Sequence, residues 1–224
     1  MKISVIVPCL NEEAAIEAAL ASCRPGAHEI IVVDGGSRDQ TIVRASGHAD
    51  MVLSTRPGRG CQQALGAKHA TGDVLLFLHA DTLLPPGYNK TIQSLLKKTD
   101  VAFGAFSLGA DLPGRAMALI CFGANLRTRV LGMPYGDQAI FVKADDYWQA
   151  GGFGAMPIME DVDLVKKLSK VGKFKMARAS VKSSARRWRQ DGLLRRTLGN
   201  YSLILRHLAG ATPEDLFQHY KNTR

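Results

Sequence analysis

The chain has 224 residues, 46% of them hydrophobic and 22% charged, which excludes a wholly disordered protein and leaves room for one full-sized domain. Its formal net charge of +9 at pH 7 points to an anionic partner: nucleic acid, a phosphate-bearing ligand or an acidic membrane surface. The four cysteines lie far apart and form no C-x-x-C pair, which argues against a zinc knuckle and a disulfide scaffold.

The positive charge is concentrated in the last quarter of the sequence. Residues 1–164 carry 14 Lys and Arg against 17 Asp and Glu, a balance of −3, whereas residues 165–224 carry 15 against 3, a balance of +12. No repeat, low-complexity tract or linker separates the two parts, so we interpret the shift as one within a single domain.

The first half of the sequence alternates strand and helix signals. In chain order it predicts a strand at 3–7, a helix at 11–22 capped by Asn11, a strand at 29–33, a helix at 39–46, a strand at 51–53, a helix at 61–70 and a strand at 74–78. Continuous apolar strands separated by helices indicate a parallel sheet covered on both faces. Ligands of such sheets collect at the carboxyl ends of the strands.

The second half is more mixed. It predicts strands at 101–108 and 138–142 with a helix at 115–129 between them, then helices at 144–150 and 161–171, an extended segment at 173–177 and a leucine-rich helix at 193–208. No apolar run approaches the roughly 18–20 residues that a transmembrane helix needs. Polar residues at 11–13 follow the first apolar run too soon for a signal peptide, so we expect a cytoplasmic location.

Polar residues follow three of the predicted strands at the point where each strand ends. They are Asn11 with Glu12, Asp34, and His79 with Asp81. Because a parallel sheet brings these ends to one edge, we expect an acid-lined ligand site there. The alternative is purely structural, with Asn11 as a helix cap and Asp34 as part of a turn.

Taken together, these segments resemble the family 2 glycosyltransferases of the GT-A fold. The resemblance runs from residue 3 to about 164 and rests on five strings in the right order, at 7–13 (VPCLNEE), 33–39 (VDGGSRD), 71–82 (TGDV through FLHADT), 136–138 (GDQ) and 159–163 (MEDVD). Each string alone is weak, and their order makes the signal specific. No GxxxxGK[ST] loop or GxGxxG fingerprint competes with it.

The resemblance implies an α/β protein with a Rossmann-like, mostly parallel sheet flanked by helices, a small mixed sheet on the acceptor side and a helical C-terminus. It implies a single domain over 1–224, with a nucleotide-binding half at 1–100, an acceptor half at 101–181 and a basic helical tail at 182–224.

The resemblance also implies a nucleotide pocket lined by Pro8 and Glu12, in which Asp34 accepts a hydrogen bond from the base, typically uracil. Arg56 and Arg59 would lie along the ribose and diphosphate, where a guanidinium suits phosphate oxygens. The alternative for the two arginines is that they are solvated loop charges.

His79 and Asp81 match the D-x-D metal motif of the family with one departure, since His79 replaces the first aspartate. Asp81 keeps the role of direct ligand to Mg²⁺ or Mn²⁺, and an imidazole at position 79 favours Mn²⁺. The alternatives are that His79 bonds the ribose or a neighbouring carboxylate, and that Asp81 is a turn residue.

Asp161 matches the general base of the family, which removes the proton of the acceptor hydroxyl. Direct displacement inverts the anomeric centre, so one carboxylate suffices, while the metal stabilises the leaving diphosphate. Glu160, Asp137 and Gln138 are expected on the acceptor and diphosphate side. The alternative for the acids at 160–163 is that they only favour a helix N-terminus.

The basic end contains Arg187 and Trp188 within S-A-R-R-W, which is similar to the Q-x-x-R-W motif of processive synthases with serine in place of glutamine. We expect these two residues to close over the diphosphate and sugar. The arginines around the helix at 193–208 predict contact with the anionic inner face of a membrane. The alternative is a helix that packs its leucines on the domain and leaves its basic face in solvent.

The predicted function is therefore inverting transfer of one sugar from a nucleoside-diphosphate sugar, with UDP as the expected nucleotide, to a small or lipid-linked acceptor. Two other classes stay open: a nucleotidyltransferase, which would release pyrophosphate, and a non-catalytic binder of a membrane surface. The sequence contains no nucleic-acid-binding motif, so nucleic acid is not an expected partner.

Overall fold

The computed structural model describes residues 1–154, 156 and 158–216, without the side chains of residues 207 and 208. Its strands are β1 (Ile3–Cys9), β2 (Glu29–Asp34), β3 (Met51–Ser54), β4 (Val74–Phe77), β5 (Thr82–Leu83), β6 (Val101–Ala110), β7 (Phe141–Lys143) and β8 (Lys173–Ser183).

The helices alternate with these strands. They are α1 (Ile16–Cys23), α2 (Thr41–Ser46), α3 (Arg59–His69), α4 (Tyr88–Leu96), α5 (Arg115–Leu131), α6 (Ala144–Gln149), α7 (Glu160–Leu168), α8 (Arg186–Asp191) and α9 (Leu193–Leu208), and a 3-10 turn lies at Gly136–Gln138.

All eight strands form one sheet in the order β3-β2-β1-β4-β7-β6-β8-β5. The first four strands in this order are parallel to one another, β7 is antiparallel to both β4 and β6, and β8 runs parallel to β6. The fold is therefore the predicted α/β arrangement, and its mixed acceptor-side part is continuous with the parallel part.

The central strands are buried on both faces, because successive side chains point to opposite sides of the sheet. Val5 and Val7 pack into one core cluster with α1 and α4, whereas Ile6, between them, packs into the other with α3 and α7. This two-sided burial explains the continuous apolar runs in the sequence.

Most predicted elements are present, with several corrections. Asn11 does not cap a helix: it adopts a left-handed φ of 55°, and α1 begins only at Ile16. The predicted strand at 138–142 begins at Phe141, because the preceding residues form the 3-10 turn. The extended segment at 173–177 continues as β8 to Ser183, two residues into the predicted basic tail, and the sequence patterns missed β5, α4 and α8.

Within the part of the chain that the structure describes, no helix combines the length and hydropathy required to cross a bilayer.

Close packing of α3 on the sheet depends on Gly66. A Cβ atom built there would lie 2.5 Å from Ile6 Cγ2 and 3.1 Å from Val33 Cγ2, both in the buried strands. We predict that Gly66→Ala lowers the free energy of unfolding by about 1–2 kcal/mol, the cost of overpacking less the helix propensity of alanine. Urea denaturation measures this difference.

The matched control is Gly199→Ala, also within a helix, where a Cβ atom would meet nothing within 4 Å. It should leave stability unchanged or raise it by up to about 1 kcal/mol. Equal stability of the two variants would contradict this account of the packing.

Candidate active site

The loops that follow β1 and β2 are tied together by hydrogen bonds. Asn11 N donates to Ser37 Oγ at 2.9 Å, and Arg38 N donates back to Asn11 Oδ1 at 2.9 Å. Glu12 N donates to Thr41 Oγ1 at 2.7 Å. These bonds hold the loops as one rim at the carboxyl end of the parallel strands, where the ligand site was expected.

Asp34 lies at the end of β2, is 5% exposed and shapes the turn that follows it. Its carboxylate accepts hydrogen bonds from Gly36 N at 2.8 Å and from Ser37 N at 3.0 Å, and Ser37 Oγ donates to it at 2.5 Å. Since a carboxylate has about four lone-pair positions, little capacity is left for a nucleotide base. Pro8 lies inside β1, opposite Val33.

Glu12, predicted in the nucleotide pocket, is half-buried and forms an ion pair with Arg186 of α8. Arg186 Nη2 lies 2.9 and 3.0 Å from the two carboxylate oxygens. Burial raises the pKa of Glu12, Arg186 opposes this shift, and the charge of Asp81 adds to it. The pair therefore brings the start of the basic region back to the nucleotide rim, beside Asp81.

Asp81 and His79 lie in the segment that joins β4 to β5. Asp81 O accepts a hydrogen bond from Ser184 N at 3.0 Å, and Thr82 pairs with Ser183 across the β5–β8 ladder. Burial lowers the pKa of His79 to about 3, with the charges of Arg59 and Arg187 adding to the effect, so its imidazole is neutral.

Asp161 stands at the second position of α7 and reaches the first residue of the 3-10 turn. Its Oδ2 accepts a hydrogen bond from Gly136 N at 2.7 Å, and its Oδ1 accepts one from Val162 N at 2.8 Å. A Cβ atom at Gly136 would lie 2.7 Å from His79 Nε2 and 3.5 Å from Asp161 Oδ2. The structure thus brings His79 and Asp161 together around Gly136, where a larger residue would crowd both side chains.

Glu160, the neighbour of Asp161, is buried and pairs with Arg59 at the start of α3, with Arg59 Nε 3.7 Å from Glu160 Oε1. Burial raises the pKa of Glu160, Arg59 opposes this, and the charge of Asp161 adds to it. Gly60 permits α3 to approach Glu160 and the segment before α7 closely, since a Cβ atom at Gly60 would lie 2.6 Å from Gly154 O and 3.3 Å from Glu160 Cβ.

Asp137 is a carboxyl group whose pKa is raised well above its ordinary value. Burial raises its pKa to about 6, Arg127 and Arg59 oppose the shift, and the charges of Asp161 and Asp81 add to it. Its Oδ1 is buried and has no hydrogen-bond partner among the described residues. An orphaned buried oxygen of this kind suits a bound ligand or water.

Gln138, expected on the acceptor side, points into the interior and is fully buried. Its Oε1 accepts a hydrogen bond from Thr128 Oγ1 at 2.8 Å, and its Nε2 donates to Phe106 O at 3.2 Å. Arg127 lies over the Tyr135 ring, with its Cζ 3.6 Å from the centroid. Gln138 therefore holds the loop at 135–138 against α5 and β6, and is not placed to contact a ligand.

The remaining predicted residues lie around the same rim or beside it. Arg187 is half-buried, and its charge acts on both Glu12 and His79. Trp188 is half-buried, and its Nε1 lacks a hydrogen-bond partner among the described residues. Arg56 is exposed and lines a shallow cavity of about 310 Å³ with Lys68 and other residues of the α3 side.

Three residues of this region escaped the sequence patterns. Gln62 donates from Nε2 to Cys9 O and Val33 O, both at 2.8 Å, and so joins the ends of β1 and β2. Arg186 is the residue of S-A-R-R-W that pairs with Glu12, whereas the motif predicted roles for Arg187 and Trp188. Nothing in the sequence singles out Arg127, because its partners lie in the loop at 135–138.

The arrangement combines six carboxyl groups with several arginines at one end of the sheet. Asp81 acts on both Glu12 and Asp137, and Arg59 acts on both Glu160 and Asp137, so the groups lie within electrostatic range of one another. Such a site can hold a cation, compensate the negative charge of phosphates and remove a proton from a hydroxyl.

A family model described as Glycosyl transferase family 2 matches residues 4–151, which include the ends of β1, β2 and β4 and the loop at 135–138. The chain belongs to glycosyltransferase family 2.

Two curated relatives are similar to parts of the chain. An uncharacterized glycosyltransferase of Mycobacterium tuberculosis is 35% identical over 104 residues, 46% of this chain and 47% of its own. The undecaprenyl-phosphate 4-deoxy-4-formamido-L-arabinose transferase of Salmonella dublin is 32% identical over 162 residues, 64% of this chain and 48% of its own. The chain thus spans less than half the length of these curated relatives.

A solved glycosyltransferase structure shows the same fold. Glucosyl-3-phosphoglycerate synthase from Mycobacterium tuberculosis, in complex with Mn²⁺ and uridine-diphosphate-glucose, superposes with a TM-score of 0.58. Its sequence is 22% identical, and the superposition covers 81% of this chain and 70% of that one.

Because Asp137 is buried, its ionisation lowers the stability of the folded chain by an amount that can be measured. The folded pKa, about 6, lies above the ordinary value of 3.8, so the folded chain holds this proton more tightly than the unfolded chain. Stability therefore falls as the pH rises from about 4 through 6. We predict that Asp137→Asn is more stable than the wild type at about pH 8, by up to about 2–3 kcal/mol in the free energy of unfolding. It should therefore unfold at a higher temperature.

The advantage of Asp137→Asn should vanish towards about pH 4, where both states of the wild type bind the proton. Thermal unfolding across the pH range measures it. Asp145→Asn, at an exposed position of α6, is the control and should show no gain that grows with pH. A constant difference at all pH values would contradict the assigned shift.

Proposed function

We propose that the chain transfers one sugar from a UDP-sugar to an acceptor hydroxyl with inversion, with Asp161 as the general base. The observation that carries this proposal is the placement of Asp161 by Gly136 N and α7 beside His79, at the sheet end that also holds Asp81. A carboxylate that removes the hydroxyl proton as the anomeric bond breaks accelerates such a transfer by about 10²–10⁴-fold.

The donor nucleotide is assigned to the rim formed by the loops after β1 and β2. Backbone following Pro8, the turn shaped by Asp34 and the Glu12–Arg186 pair border this space. Arg59 and Arg187 supply the positive charge that a diphosphate requires, and Trp188 offers its unpartnered Nε1. UDP is proposed because the synthase of similar fold was solved with uridine-diphosphate-glucose.

The residues present fit a divalent metal that is held jointly by protein and diphosphate. Among the described residues, no three His, Cys, Asp or Glu side chains are grouped to hold an ion by themselves. Mg²⁺ and similar ions in nucleotide sites use one or two protein ligands and take the others from phosphates and water. We assign Asp81 as the carboxylate ligand and the neutral imidazole of His79 as its neighbour in the site.

A divalent ion bound there would neutralise the charge that develops on the leaving diphosphate. Because the diphosphate then needs no proton, the protein has to supply only the base. Asp161 is suited to this role, since two backbone N–H groups fix its orientation and a lone pair remains on each oxygen. Asp137, with its unpartnered Oδ1, is proposed to bind the acceptor beside the base.

The acceptor is proposed to be a small molecule or a lipid-linked one. If it is lipid-linked, the chain is proposed to work at the inner face of a membrane. The Salmonella relative is named for an undecaprenyl-phosphate acceptor, whereas the synthase of similar fold is named for phosphoglycerate. The basic region at 182–224 provides the positive charge for an anionic surface.

The role of Asp161 predicts a large and selective loss of activity. Asp161→Asn keeps the size of the side chain and one of its two acceptor oxygens but cannot take the proton, so turnover of UDP-sugar should fall at least about a hundredfold. Binding of UDP, measured by calorimetry, should be unchanged. Asp163→Asn is the matched control, because it lies in the same first turn of α7 and pairs with Lys167. Equal activity of both variants would overturn the assignment of the base.

The role of Asp81 predicts loss of metal-linked nucleotide binding. UDP with Mn²⁺ at about 100 times its dissociation constant should stabilise the wild type by about 2.7 kcal/mol in a thermal-shift assay. In Asp81→Ala, Mn²⁺ should add nothing to the effect of UDP alone, while Asp145→Asn behaves as wild type. An unchanged effect of Mn²⁺ in Asp81→Ala would remove Asp81 from the metal site.

The products separate the proposed activity from the two other classes. A glycosyltransferase releases UDP, a nucleotidyltransferase releases pyrophosphate, and a non-catalytic membrane binder releases neither. Chromatography of the nucleotide products after incubation with UDP-sugars and acceptor lipid extract therefore decides among the three.

A further inference from the structure

Helix α5 exposes a continuous apolar stripe along its outer side. The side chains stand at spacings of three and four residues, which places them on one face of a helix. They are between 48% and 71% exposed: Leu119, Phe122, Leu126 and Val130. A water-soluble helix ordinarily turns this spacing of apolar residues towards the core, so the exposed stripe calls for a partner.

Helix α9 exposes a second stripe with the same spacing. Its side chains are between 49% and 80% exposed: Leu194, Leu198, Tyr201 and Leu205. The sequence left open the alternative that this helix packs its leucines on the domain. Leu203, which is 7% exposed, does so, but the four side chains of the stripe do not.

The two stripes lie on neighbouring helices. The hydroxyl of Tyr201 lies 4.0 Å from the position of a Cβ atom at Gly123, the residue that follows Phe122 in α5. Of the 13 large hydrophobic side chains exposed among the described residues, nine belong to α5 or α9. We refer to the eight stripe residues as the α5–α9 face.

The two helices that carry the α5–α9 face have positively charged side chains and no acid of their own. Neither helix contains Asp or Glu, and four arginines on them are exposed: Arg115, Arg129, Arg195 and Arg206. Apolar side chains flanked by exposed arginines complement the interface of an anionic bilayer, where the former enter the acyl boundary and the latter meet phosphate groups. A second copy of the same face would instead oppose arginine to arginine, without a compensating carboxylate on either helix.

We propose that the α5–α9 face docks the protein on the surface of an anionic phospholipid bilayer, with both helices lying in the plane of the interface. Neither helix spans the bilayer, and the attachment is reversible and salt-sensitive.

The position of α5 connects this face to the site. The inner side of α5 holds the loop at 135–138, since Thr128 donates to Gln138 and Arg127 covers Tyr135. We call this loop the acceptor loop, because it contains Asp137. Asn125 fixes the helix to β6 through two hydrogen bonds with Leu108, at 2.7 and 3.0 Å. The bilayer and the acceptor loop are therefore separated by one helix, on the order of 10 Å. For the choice between acceptors, which rests on the proposed function, this favours the lipid-linked class.

The test is co-sedimentation of the full chain with vesicles, without nucleotide or sugar. Binding should be strong to vesicles of phosphatidylglycerol and phosphatidylcholine, weak to phosphatidylcholine alone, and should decrease as salt is added. The double variant Arg195→Gln, Arg206→Gln should lose about thirtyfold in affinity at low salt, and Phe122→Ser, Leu198→Ser about tenfold or more.

Matched controls come from other faces of the protein. Val43→Ser removes an apolar side chain of α2 that is 70% exposed, and Lys97→Gln, Lys98→Gln removes two exposed cations near α4. Both should bind vesicles as the wild type does. All substituted side chains are on the surface, and circular dichroism with thermal unfolding verifies that each variant is folded.

Three results would overturn the docking proposal. They are absence of vesicle binding, equal affinity for neutral and anionic vesicles, and equal losses in the controls and in the α5–α9 variants. Light scattering provides the decision against a second copy: a dimer that Phe122→Ser, Leu198→Ser dissociates, together with no vesicle binding, assigns the face to self-association. The vesicle assay contains no nucleotide and therefore tests the docking proposal by itself. Vesicle binding, combined with no response to UDP in the thermal-shift assay, would refute the proposed function and leave the docking proposal intact.

Discussion

Parallel pairing of β1 with β2 and β4 is the constraint on which the site depends. It places the carboxyl ends of three strands at one edge, so that Glu12, Asp34 and Asp81 meet although up to 69 positions separate them in the chain. The side chain of Gln62 then joins the first two strand ends, and the hydrogen bonds between the loops complete a stiff rim. Stiffness matters here because polar groups that are already oriented need no reorganisation when a charged ligand arrives.

The second half of the chain adds the opposing charges. Carboxyl groups gathered in a half-buried space repel one another, and the raised pKa values of Asp137, Glu160 and Glu12 record this repulsion together with burial. Arg59 and Arg186 reduce the cost by direct pairing. A divalent cation and a diphosphate, the ligands that we propose for this site, would together add charges of both signs to it.

Patterns in the sequence predicted the alternating strands, the parallel sheet and the strand-end acids, because each of these is written in a short stretch of residues. They could not predict what depends on distant partners. Arg186 and Gln138 are examples, since the sequence does not show that the former turns back to Glu12 or that the latter turns inward to Thr128. The prediction that Asn11 caps a helix was wrong for a related reason. Its side chain accepts a hydrogen bond from Arg38 N, 27 positions away, instead of one from the first turn of a helix.

The ion pair between Glu12 and Arg186 joins residues 174 positions apart, and the neighbouring bond from Ser184 to Asp81 closes a loop of similar kind. Contacts of such long range form late, because the entropy of closing the loop must be lost before they contribute. During synthesis, the acidic strand ends therefore emerge well before the arginine that partly neutralises them. The loops after β1 and β2 can therefore bond to each other early, whereas the Glu12–Arg186 pair has to wait until β8 and α8 have been synthesised.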